Sequence, residues 1–362
     1  MPFDRAQTRR LLVGGVPIGG DAPVAVQSMT STDTRDVGAT CAQIGRLAAA
    51  GCEVVRCAVP DQAAALAFRG ITDASPLPVI ADIHFDASLA VLAVENGAAA
   101  LRINPGNIGG EAAVRRVVDA AQAHGVVIRV GANSGSLPKD LLAAHGGPCP
   151  AAIVQAALRQ ARLLEGMGFD QIKVSLKSSS VLDTITAYRL FAQQCDYPLH
   201  LGVTEAGGLL AGTVKSAIGI GALLLEGLGD TLRVSLTADP VREVEVAWHL
   251  LRACGLRQRG VEIISCPTCG RTEIELIPLL EAAEKELASV AAPLTVAIMG
   301  CVVNGPGEAA HADVGLAGGR GQGVIFAKGQ VVKKVAEGDL LAALMEEVRR
   351  AEGEWAALHG KE

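Results

Sequence analysis

The stretch PVIADIHFDASLAVLAVENGAAALRIN, residues 78–104, contains the repeating unit of the first two thirds of the chain. It begins with a short apolar run at 78–83, continues through an Ala- and Leu-rich segment typical of a helix, and reaches Gly97 before a second apolar run at 100–104. Glycine is a common residue just past the end of a helix, because it adopts the left-handed backbone without strain. The stretch therefore predicts a strand, a helix and a second strand.

The same unit recurs between residues 24 and 236, eight times in all. Because strands that alternate with helices pair in parallel, eight units of this length predict a (β/α)8 TIM barrel. An open doubly wound sheet is the alternative. The predicted strands are 24–28, 54–59, 78–83, 100–104, 126–130, 171–175, 199–203 and 231–236, with helices that include 40–50, 87–96, 112–124 and 151–167.

The pattern changes after Cys254, which predicts a barrel domain over 1–255 and a small α+β domain over 256–362. A Gly-rich segment at 315–323 indicates a turn region. Thr272 and Glu275 have the spacing of a capping box, and Pro278 is expected to interrupt or kink the helix that follows. Strands are predicted at 261–264 and 294–299 and near 314, 324–327 and 331–335, with a closing helix at 339–357.

Composition excludes several classes of protein. The 362 residues carry a net charge of −6 and are 3% aromatic, which argues against a nucleic-acid surface built from basic groups and stacking rings. No apolar run approaches the roughly 18 residues of a membrane span. The N-terminus lacks the apolar stretch of a signal peptide. We therefore expect a cytoplasmic protein that binds neither nucleic acid nor membrane.

Three of the nine cysteines cluster in the second domain. Cys266 and Cys269 form a Cys-x-x-Cys pair within SCPTCGR at 265–271, and Cys301 lies in the Gly- and Pro-rich GCVVNGPGE at 300–308. In a reducing compartment such a trio indicates metal ligands and not a disulfide framework. The other six are predicted to be small core residues, namely Cys41, Cys52, Cys57, Cys149, Cys195 and Cys254.

The fourth ligand decides what the three thiols bind. Glu308 could supply a carboxylate to an iron–sulfur cluster, and an oxygen ligand would leave one iron open to exchange with a substrate oxygen. His311 could instead complete a structural zinc site. A thioredoxin-like dithiol is the third alternative.

Polar side chains occupy the carboxyl ends of the predicted strands, where (β/α)8 enzymes carry their chemistry. Four or five cations there need anionic partners, and planar guanidinium groups suit phosphate oxygens. The alternative is that they pair with acids such as Asp82, Asp86 and Glu205. The strand ends carry Arg56, Arg102, Arg129, Lys173 or Lys177, and Ser235, and the adjoining loops carry Asn104, Asn107 and Asn133.

Four further residues of the predicted mouth are acid–base or orienting candidates: Asp82, His84, His200 and Glu205. A structural role is equally open for the two histidines. Together these residues predict a phosphorylated substrate in the barrel mouth and a redox cluster on a separate domain.

Six long blocks carry a family resemblance: VQSMT at 26–30, RINPGN at 102–107, HLGVTEAG at 200–207, GDTLRVSL at 229–236, CPTCGR at 266–271 and GCVVNGPGE at 300–308. They resemble the bacterial 4-hydroxy-3-methylbut-2-enyl diphosphate synthases over nearly the whole chain. The resemblance implies a non-mevalonate isoprenoid enzyme that converts 2-C-methyl-D-erythritol 2,4-cyclodiphosphate by two-electron reductive ring opening and loss of water. Reduced flavodoxin or ferredoxin would be the electron donor.

The resemblance also implies roles for individual residues. A [4Fe-4S] cluster falls on Cys266, Cys269, Cys301 and Glu308. Diphosphate binding falls on Arg56, Arg102, Arg129 and a strand-six lysine, for which we predict Lys177, with Asn133, His200 and Ser235 nearby. Glu205, Glu308, Asp82 and His84 are the predicted catalytic residues, with Glu205 handling protons. The usual Lys-Ala-Ser-Asp after strand six is replaced here by Lys177-Ser178-Ser179-Ser180.

Two other functional classes fit the residues alone. One is a barrel lyase or synthase for a phosphorylated or pterin-like substrate, with an attached structural zinc module. The other is a non-enzymatic, metal-binding regulator. The colour of protein purified without oxygen separates them, because an iron–sulfur protein is brown and a zinc protein is colourless.

The linker between the domains predicts an oligomer. Strand eight ends near Ser235 at the catalytic face, and the helix predicted at 240–254 runs back roughly 22 Å. Residues 255–260 then give a tether of at most about 20 Å, too short to bring a cluster around its own barrel to the mouth. A neighbouring subunit can supply the cluster in a twofold dimer. We therefore expect an obligate homodimer with shared active sites, as the resemblance also implies.

Overall fold

The computed structural model of the chain describes residues 2–301, 303, 307 and 311–359. The chain divides into two compact units, Met1–Arg257 and Gln258–Glu362, a division two residues after the expected boundary. No helix within the described part has the length and apolar character needed to cross a membrane.

A hairpin that no sequence pattern predicted begins the first unit. Strand β1 (Leu11–Val13) pairs antiparallel with β2 (Val16–Ile18). Gly14 and Gly15 join them with positive φ angles of 54° and 90°, as a tight two-residue hairpin turn requires. Buried side chains of the hairpin pack against residues near the amino ends of the next strands, so the hairpin closes that end of the sheet. This closing layer consists of Leu11, Val13, Ile18, Ala25, Val54, Ile80, Ala100 and Val127.

Eight parallel strands follow: β3 (Ala25–Met29), β4 (Val54–Ala58), β5 (Val79–Asp82), β6 (Ala100–Arg102), β7 (Val127–Asn133), β8 (Ile172–Lys177), β9 (His200–Leu201) and β10 (Thr231–Leu232). They pair in the order β8-β7-β6-β5-β4-β3-β10-β9. A parallel bridge between Val174 and Leu199 joins β8 to the start of β9, which closes the ring. The predicted barrel is confirmed, and the open doubly wound alternative is wrong.

The connecting helices are α1 (Val37–Ala49), α2 (Gln62–Ala74), α3 (Ala87–Glu95), α4 (Glu111–His124), α5 (Lys139–His145), α6 (Pro150–Glu165), α7 (Val181–Ala192), α8 (Leu209–Leu225) and α9 (Pro240–Ala253). Many begin at an Asp or Ser whose side chain accepts a backbone N–H of the first turn, as Asp36, Asp86 and Ser180 do. Ser180 thus caps α7 by accepting the Asp183 N–H.

Alternation along the strands separates the helix-facing layer from the barrel interior. Val55, Ala81, Leu101, Ile128 and Val174 belong to the large core shared with the helices. Because successive side chains of a strand point to opposite faces, the residue after each of these points into the barrel. Those inward residues are Arg56, Asp82, Arg102, Arg129 and Ser175. The interior toward the carboxyl ends is therefore polar.

The second unit is a five-stranded mixed sheet with helices packed against it. It contains β11 (Glu262–Ser265), α10 (Leu276–Leu287), β12 (Thr295–Met299), β13 (Val314–Gly319), β14 (Gln322–Ala327), β15 (Gln330–Ala336) and α11 (Leu340–His359). The strands pair in sequence order, with β11, β12 and β13 parallel and the remaining pairs antiparallel. Helices α10 and α11 contribute Ala283, Leu287, Leu340 and Leu344 to its core.

Three local predictions in this unit are wrong. The Gly-rich segment is not a turn region, because most of it lies in β13 and β14. Its glycines allow close packing: a Cβ at Gly318 would lie 2.6 Å from the Ile274 side chain. The capping box does not form, since the Thr272 hydroxyl accepts the Cys269 N–H and Glu275 makes no side-chain cap. Pro278 lies in the first turn of α10, where it interrupts no helical hydrogen bond.

Candidate active site

Asp82 lies between two arginines at the carboxyl end of the barrel. Its Oδ2 is 3.7 Å from Arg56 Nε, and its Oδ1 is 3.4 Å from Arg102 Nη1. Burial by itself would raise the pKa of Asp82, but the charge of Arg56, a hydrogen bond from His84 and the charge of Arg102 hold that pKa well below its usual value. One ionised carboxylate therefore faces two guanidinium groups, which leaves an excess of positive charge.

The Arg56 guanidinium also faces a sulfur atom. Its Nη2 and Nε lie 2.9 and 3.2 Å from Met29 Sδ, and Arg233 Nη1 lies 3.7 Å from the same atom. A thioether is a weak acceptor, so these N–H groups can still serve a stronger one. Burial lowers the pKa of Arg56 to about 10 against the attraction of Asp82, with repulsion from Arg233 and Arg102 adding to the shift.

Arg129 and Lys177 are buried inside the barrel, and together with Arg56, Arg102 and Arg233 they form what is here called the ring of cations. Arg129 Nη1 donates to Ser175 Oγ at 2.7 Å, while its Nε and Nη2 have no hydrogen-bond partner among the described residues. Burial, followed by repulsion from Arg129 and Arg56, lowers the pKa of Lys177 well below its usual value. Gly202 makes room for this lysine, because a Cβ there would lie 2.6 Å from its Nζ. Charge repulsion of this kind indicates that an anion belongs in the ring.

Register distinguishes the two strand-six lysines. Lys177 lies beside Asn133 at the carboxyl end, whereas Lys173 lies four residues, or two pleat repeats, lower beside Arg129. Lys173 is 0% exposed, and its Nζ has no partner within the described chain. Burial and repulsion from Arg129 lower the pKa of Lys173 to about 7, against attraction from Asp230. Lys177 is therefore the lysine of the mouth.

His200 is buried inside the barrel. Its Nδ1 lies 2.8 Å from Thr231 Oγ1, while its Nε2 has no partner among the residues described. Burial, with repulsion from Lys177 and Arg129, lowers the pKa of His200 well below 6.5, which keeps the ring neutral. A neutral imidazole here can orient a ligand without adding to the positive charge.

The other predicted residues lie around the opening. His84 is 52% exposed at its side chain, with Nδ1 3.0 Å from Arg102 Nη1 and Nε2 3.6 Å from Asp82 Oδ2. Glu205 is exposed on the loop after β9 with φ at 53°, a left-handed conformation that is strained for a non-glycine residue and is found at functional loops. Asn133 and Ser235 are half-buried.

The alternative interpretation, in which the arginines pair with nearby acids, holds only in part. Asp82 makes such pairs, but Asp86 instead caps α3 by accepting the Ser88 N–H. A groove of about 1100 Å³ reaches Asp82 and His84 and is also lined by the exposed Phe85. The groove therefore reaches the carboxylate shared by Arg56 and Arg102, although neither arginine lines it.

Sequence reasoning missed Arg233 and its partner Glu243. The prediction placed Arg233 in the middle of strand eight, but β10 ends at Leu232, so this arginine lies at the carboxyl end. It makes a bidentate ion pair with Glu243 of α9. A signal was present, since Thr231, Arg233 and Ser235 share one face of an alternating strand.

Two of the three clustered thiols follow neighbouring parallel strands of the second unit. Cys266 comes directly after β11 and Cys301 two residues after β12, and Cys266 Sγ accepts the Gly300 N–H at 3.3 Å. Cys269 is exposed, and its pKa is lowered by a backbone hydrogen bond from Arg271 and by the charge of that arginine. All nine cysteines lie in the described part of the chain, and they are free thiols.

The donor set is chemically suited to iron, since thiolates are the usual ligands of iron–sulfur clusters. Within 2–301, 303, 307 and 311–359, no three His, Cys, Asp or Glu side chains are close enough together to hold a metal ion. Glu308, the predicted fourth ligand, lies outside the described residues. His311, the zinc alternative, is exposed.

Comparisons with known proteins cover both units. The model of the GcpE TIM-barrel domain matches residues 8–248, and that of the GcpE protein C-terminal domain matches 262–350. A protein of Lawsonia intracellularis is 60% identical over 352 residues, which are 97% of this chain and 98% of that protein. A Geobacter sulfurreducens protein is 59% identical over 346 residues, covering 96% of this chain and 98% of its own. Both are named 4-hydroxy-3-methylbut-2-en-1-yl diphosphate synthase (flavodoxin).

A solved structure matches the barrel alone. The truncated 3-deoxy-D-arabino-heptulosonate 7-phosphate synthase of Thermotoga maritima superposes with a TM-score of 0.50 at 11% identity. The match covers 69% of this chain and 94% of that one. Similarity at this level is evidence for the barrel fold alone and carries no information about activity.

Proposed function

The chain belongs to the GcpE family of 4-hydroxy-3-methylbut-2-en-1-yl diphosphate synthases, and from this membership we propose how its residues carry out the reaction. The enzyme makes 4-hydroxy-3-methylbut-2-enyl diphosphate. In our proposal the substrate is 2-C-methyl-D-erythritol 2,4-cyclodiphosphate, whose ring is opened with the uptake of two electrons and two protons and the loss of water. The observation that carries the proposal is the excess of buried cations at the barrel mouth.

The cations bind the diphosphate. Five of them point into the barrel, four toward the carboxyl ends of the strands and Arg129 deeper, at the third residue of β7. The ion pairs that they make involve the carboxylates of Asp82 and Glu243. Arginine and lysine donors in a water-poor site hold phosphate oxygens through short, charge-assisted hydrogen bonds. The five are Arg56, Arg102, Arg129, Lys177 and Arg233, with Asn133, His200 and Ser235 as neutral donors or acceptors beside them.

Proton transfer falls to the acids and the histidine at the opening. Asp82 stays ionised between its arginines and orients them, and His84 lies within hydrogen-bond distance of Arg102. Glu205 is exposed at the same end, and its carboxyl group can take up a proton from solvent and pass it to an oxygen leaving the substrate. Asp82 and His84 therefore orient the arginines, and Glu205 delivers the proton.

The electrons require a redox centre, for which we propose a [4Fe-4S] cluster on Cys266, Cys269, Cys301 and Glu308. When bound, such a cluster passes electrons singly and offers an iron with a weakly held oxygen ligand. The thiols support this assignment, because two follow adjacent strand ends and the pKa of Cys269 is lowered toward the thiolate form. A zinc ion at these thiols could not pass electrons, because Zn²⁺ has no redox chemistry.

Partners follow from the reaction. Reduced flavodoxin is the donor we propose, because the relatives carry flavodoxin in their names; ferredoxin is the alternative donor. We place the protein in the cytoplasm, where its free cysteines stay reduced.

We further propose a homodimer in which one subunit's cluster serves the other's barrel. The short tether between the domains motivates the shared site. An apolar stripe on α8 supports a second copy as partner, since Leu210, Val214 and Ile218 recur every four residues and remain exposed. Contiguous apolar faces of this kind are commonly covered in the assembled protein.

The test uses two inactive variants, Arg56→Ala and Cys301→Ser, purified without oxygen. Each alone should lack turnover with reduced flavodoxin, because one lacks a diphosphate ligand and the other a cluster ligand. Dissociating and reassembling them together should restore activity, since a mixed dimer contains one fully wild-type site. Mixed dimers verified by mass that remain inactive would refute the shared site.

The same variants separate the two halves of the proposal. Iron content and the EPR signal should be lost in Cys301→Ser and retained in Arg56→Ala. A colourless wild-type enzyme with full turnover would overturn the cluster assignment while leaving the anion site untouched.

A further inference from the structure

We propose that Glu243, on helix α9, is a positioning residue that aims Arg233 at the substrate diphosphate. The inference rests on the proposed diphosphate site. Glu243 touches no substrate atom in this account and acts through the arginine and the loop that it holds.

Glu243 is a carboxylate with nearly every acceptor position used. Its Oε2 accepts Ser28 Oγ and Arg233 Nε, both at 3.1 Å. Its Oε1 accepts Arg233 Nη2 at 3.0 Å and the Leu236 N–H at 3.1 Å. The residue is only 3% exposed, so these four bonds replace the water that burial removed.

The four bonds join three parts of the mouth. Ser28 lies on β3, Arg233 directly follows β10, and Leu236 lies on the loop after it, one residue past Ser235. A single carboxylate therefore fixes both the guanidinium and the backbone that presents Ser235. Removing it frees an arginine side chain and a loop together.

The ion pair leaves one end of the guanidinium free of Glu243. Nε and Nη2 bind the carboxylate, so Nη1 points away from it and lies 3.7 Å from Met29 Sδ. Arg56 approaches the same sulfur at 2.9 Å. Two cationic side chains thus converge on one weak acceptor, and the orientation of one is set by Glu243.

A matched pair occurs near the other end of the barrel. Glu53 accepts Arg257 Nη2 at 2.9 Å and Nη1 at 2.7 Å, together with the Val26 N–H at 2.8 Å. Like Glu243 it joins an arginine to barrel backbone, but Val26 is the second residue of β3, three residues before the carboxyl end of that strand at Met29. Glu53→Gln is therefore a control for losing a bidentate ion pair.

The experiment is a double-mutant cycle on the holoenzyme with Glu243→Gln, Arg233→Ala and the combined variant. The dissociation constant for inorganic pyrophosphate, measured by calorimetry, accompanies KM and kcat. Arg233→Ala should weaken pyrophosphate binding by about tenfold or more, as loss of a charge-assisted hydrogen bond does. Glu243→Gln should raise the dissociation constant and KM by about three- to tenfold with little change in kcat. Glu53→Gln should change neither.

Coupling decides the outcome. If Glu243 acts mainly through Arg233, replacing it has a clearly smaller effect once Arg233 is already Ala, and the remainder comes from the loop that presents Ser235. Equal effects in both backgrounds would show a general structural role and overturn the inference. If Arg233→Ala itself leaves pyrophosphate binding unchanged, the diphosphate site fails instead. Should Glu243→Gln not fold, Ser28→Ala removes one of the four bonds, and the same coupling to Arg233→Ala is required.

Discussion

The two ends of the barrel, built from the same strands, differ in whether their charges have partners. At the amino end, the β1–β2 hairpin closes the interior with aliphatic side chains, and nearby charges such as Glu53 and Arg257 are paired. At the carboxyl end, buried cations outnumber their carboxylate partners, and Arg129 has two nitrogens without a partner among the described residues. The first arrangement lowers the free energy of the empty fold, whereas the second raises it.

The difference teaches where function resides in this molecule. Burying a charge without a partner costs several kcal/mol, roughly, and folded proteins retain such groups where a ligand will compensate. The closed end should therefore govern stability without affecting the substrate. The open end should govern binding, and removing one of its buried cations should leave the fold as stable as before or more stable.

The largest expected effect is at the closed end. Ile18→Ala removes a fully buried side chain from the hairpin, so the free energy of unfolding should fall by about 2 to 5 kcal/mol. Denaturant unfolding followed by circular dichroism measures the loss. KM should stay within twofold of wild type where the variant is folded, and a large rise in KM would break the division between the ends.

A smaller effect, of opposite kind, is expected from Arg129→Met. This change removes a buried guanidinium whose pKa is lowered by burial and by repulsion from Arg56. Pyrophosphate binding should weaken by about 1.5 to 3 kcal/mol, measured by calorimetry. Thermal stability without ligand should be unchanged or higher. A variant that unfolds more easily yet binds normally would make Arg129 a structural residue.

The smallest expected effect is a pH-dependent change in the free energy of unfolding, caused by the buried charge of Lys173. The pKa of Lys173 is lowered by burial to about 7, from 10.5 for an exposed lysine. Between these values the unfolded chain binds more protons, so the stability of the wild type falls as pH drops from about 10 to 7. Lys173→Met lacks this loss and should gain about 1 to 2 kcal/mol at pH 7, less at pH 9.5. Denaturant unfolding at both pH values measures it; an equal gain at both would contradict the buried charge.

Sequence predicted the barrel because each strand is a short apolar run followed by a helix with clear ends. Arg56, Arg102 and Arg129 were predicted as ligands because strand ends in this fold face the site. The structure places all three side chains in the barrel interior, and their role as ligands stays a prediction. The hairpin was missed because its three-residue strands are too short to show a period. Arg233 was missed by a boundary error of a few residues in β10, and Glu243 because a glutamate in an amphipathic helix is usually solvent-exposed.

The cysteine loops show a different limit. Their residue types predicted ligand chemistry, but no sequence pattern fixes the distances between side chains on separate loops. The Gly-rich strands also resisted prediction, because glycine marks both turns and tight packing. Only the neighbour, here Ile274 against Gly318, decides between these two uses.

Gly202 constrains how this pocket can evolve. A Cβ at this position would lie 2.6 Å from Lys177 Nζ and 2.9 Å from the Arg233 carbonyl oxygen. Replacing Gly202 by any other residue adds that atom, so the change displaces Lys177, a proposed diphosphate ligand, and strand-end backbone at once. Directed-evolution libraries that aim to change the accepted diphosphate should therefore vary Asn133 and Ser235 first and hold Gly202 fixed.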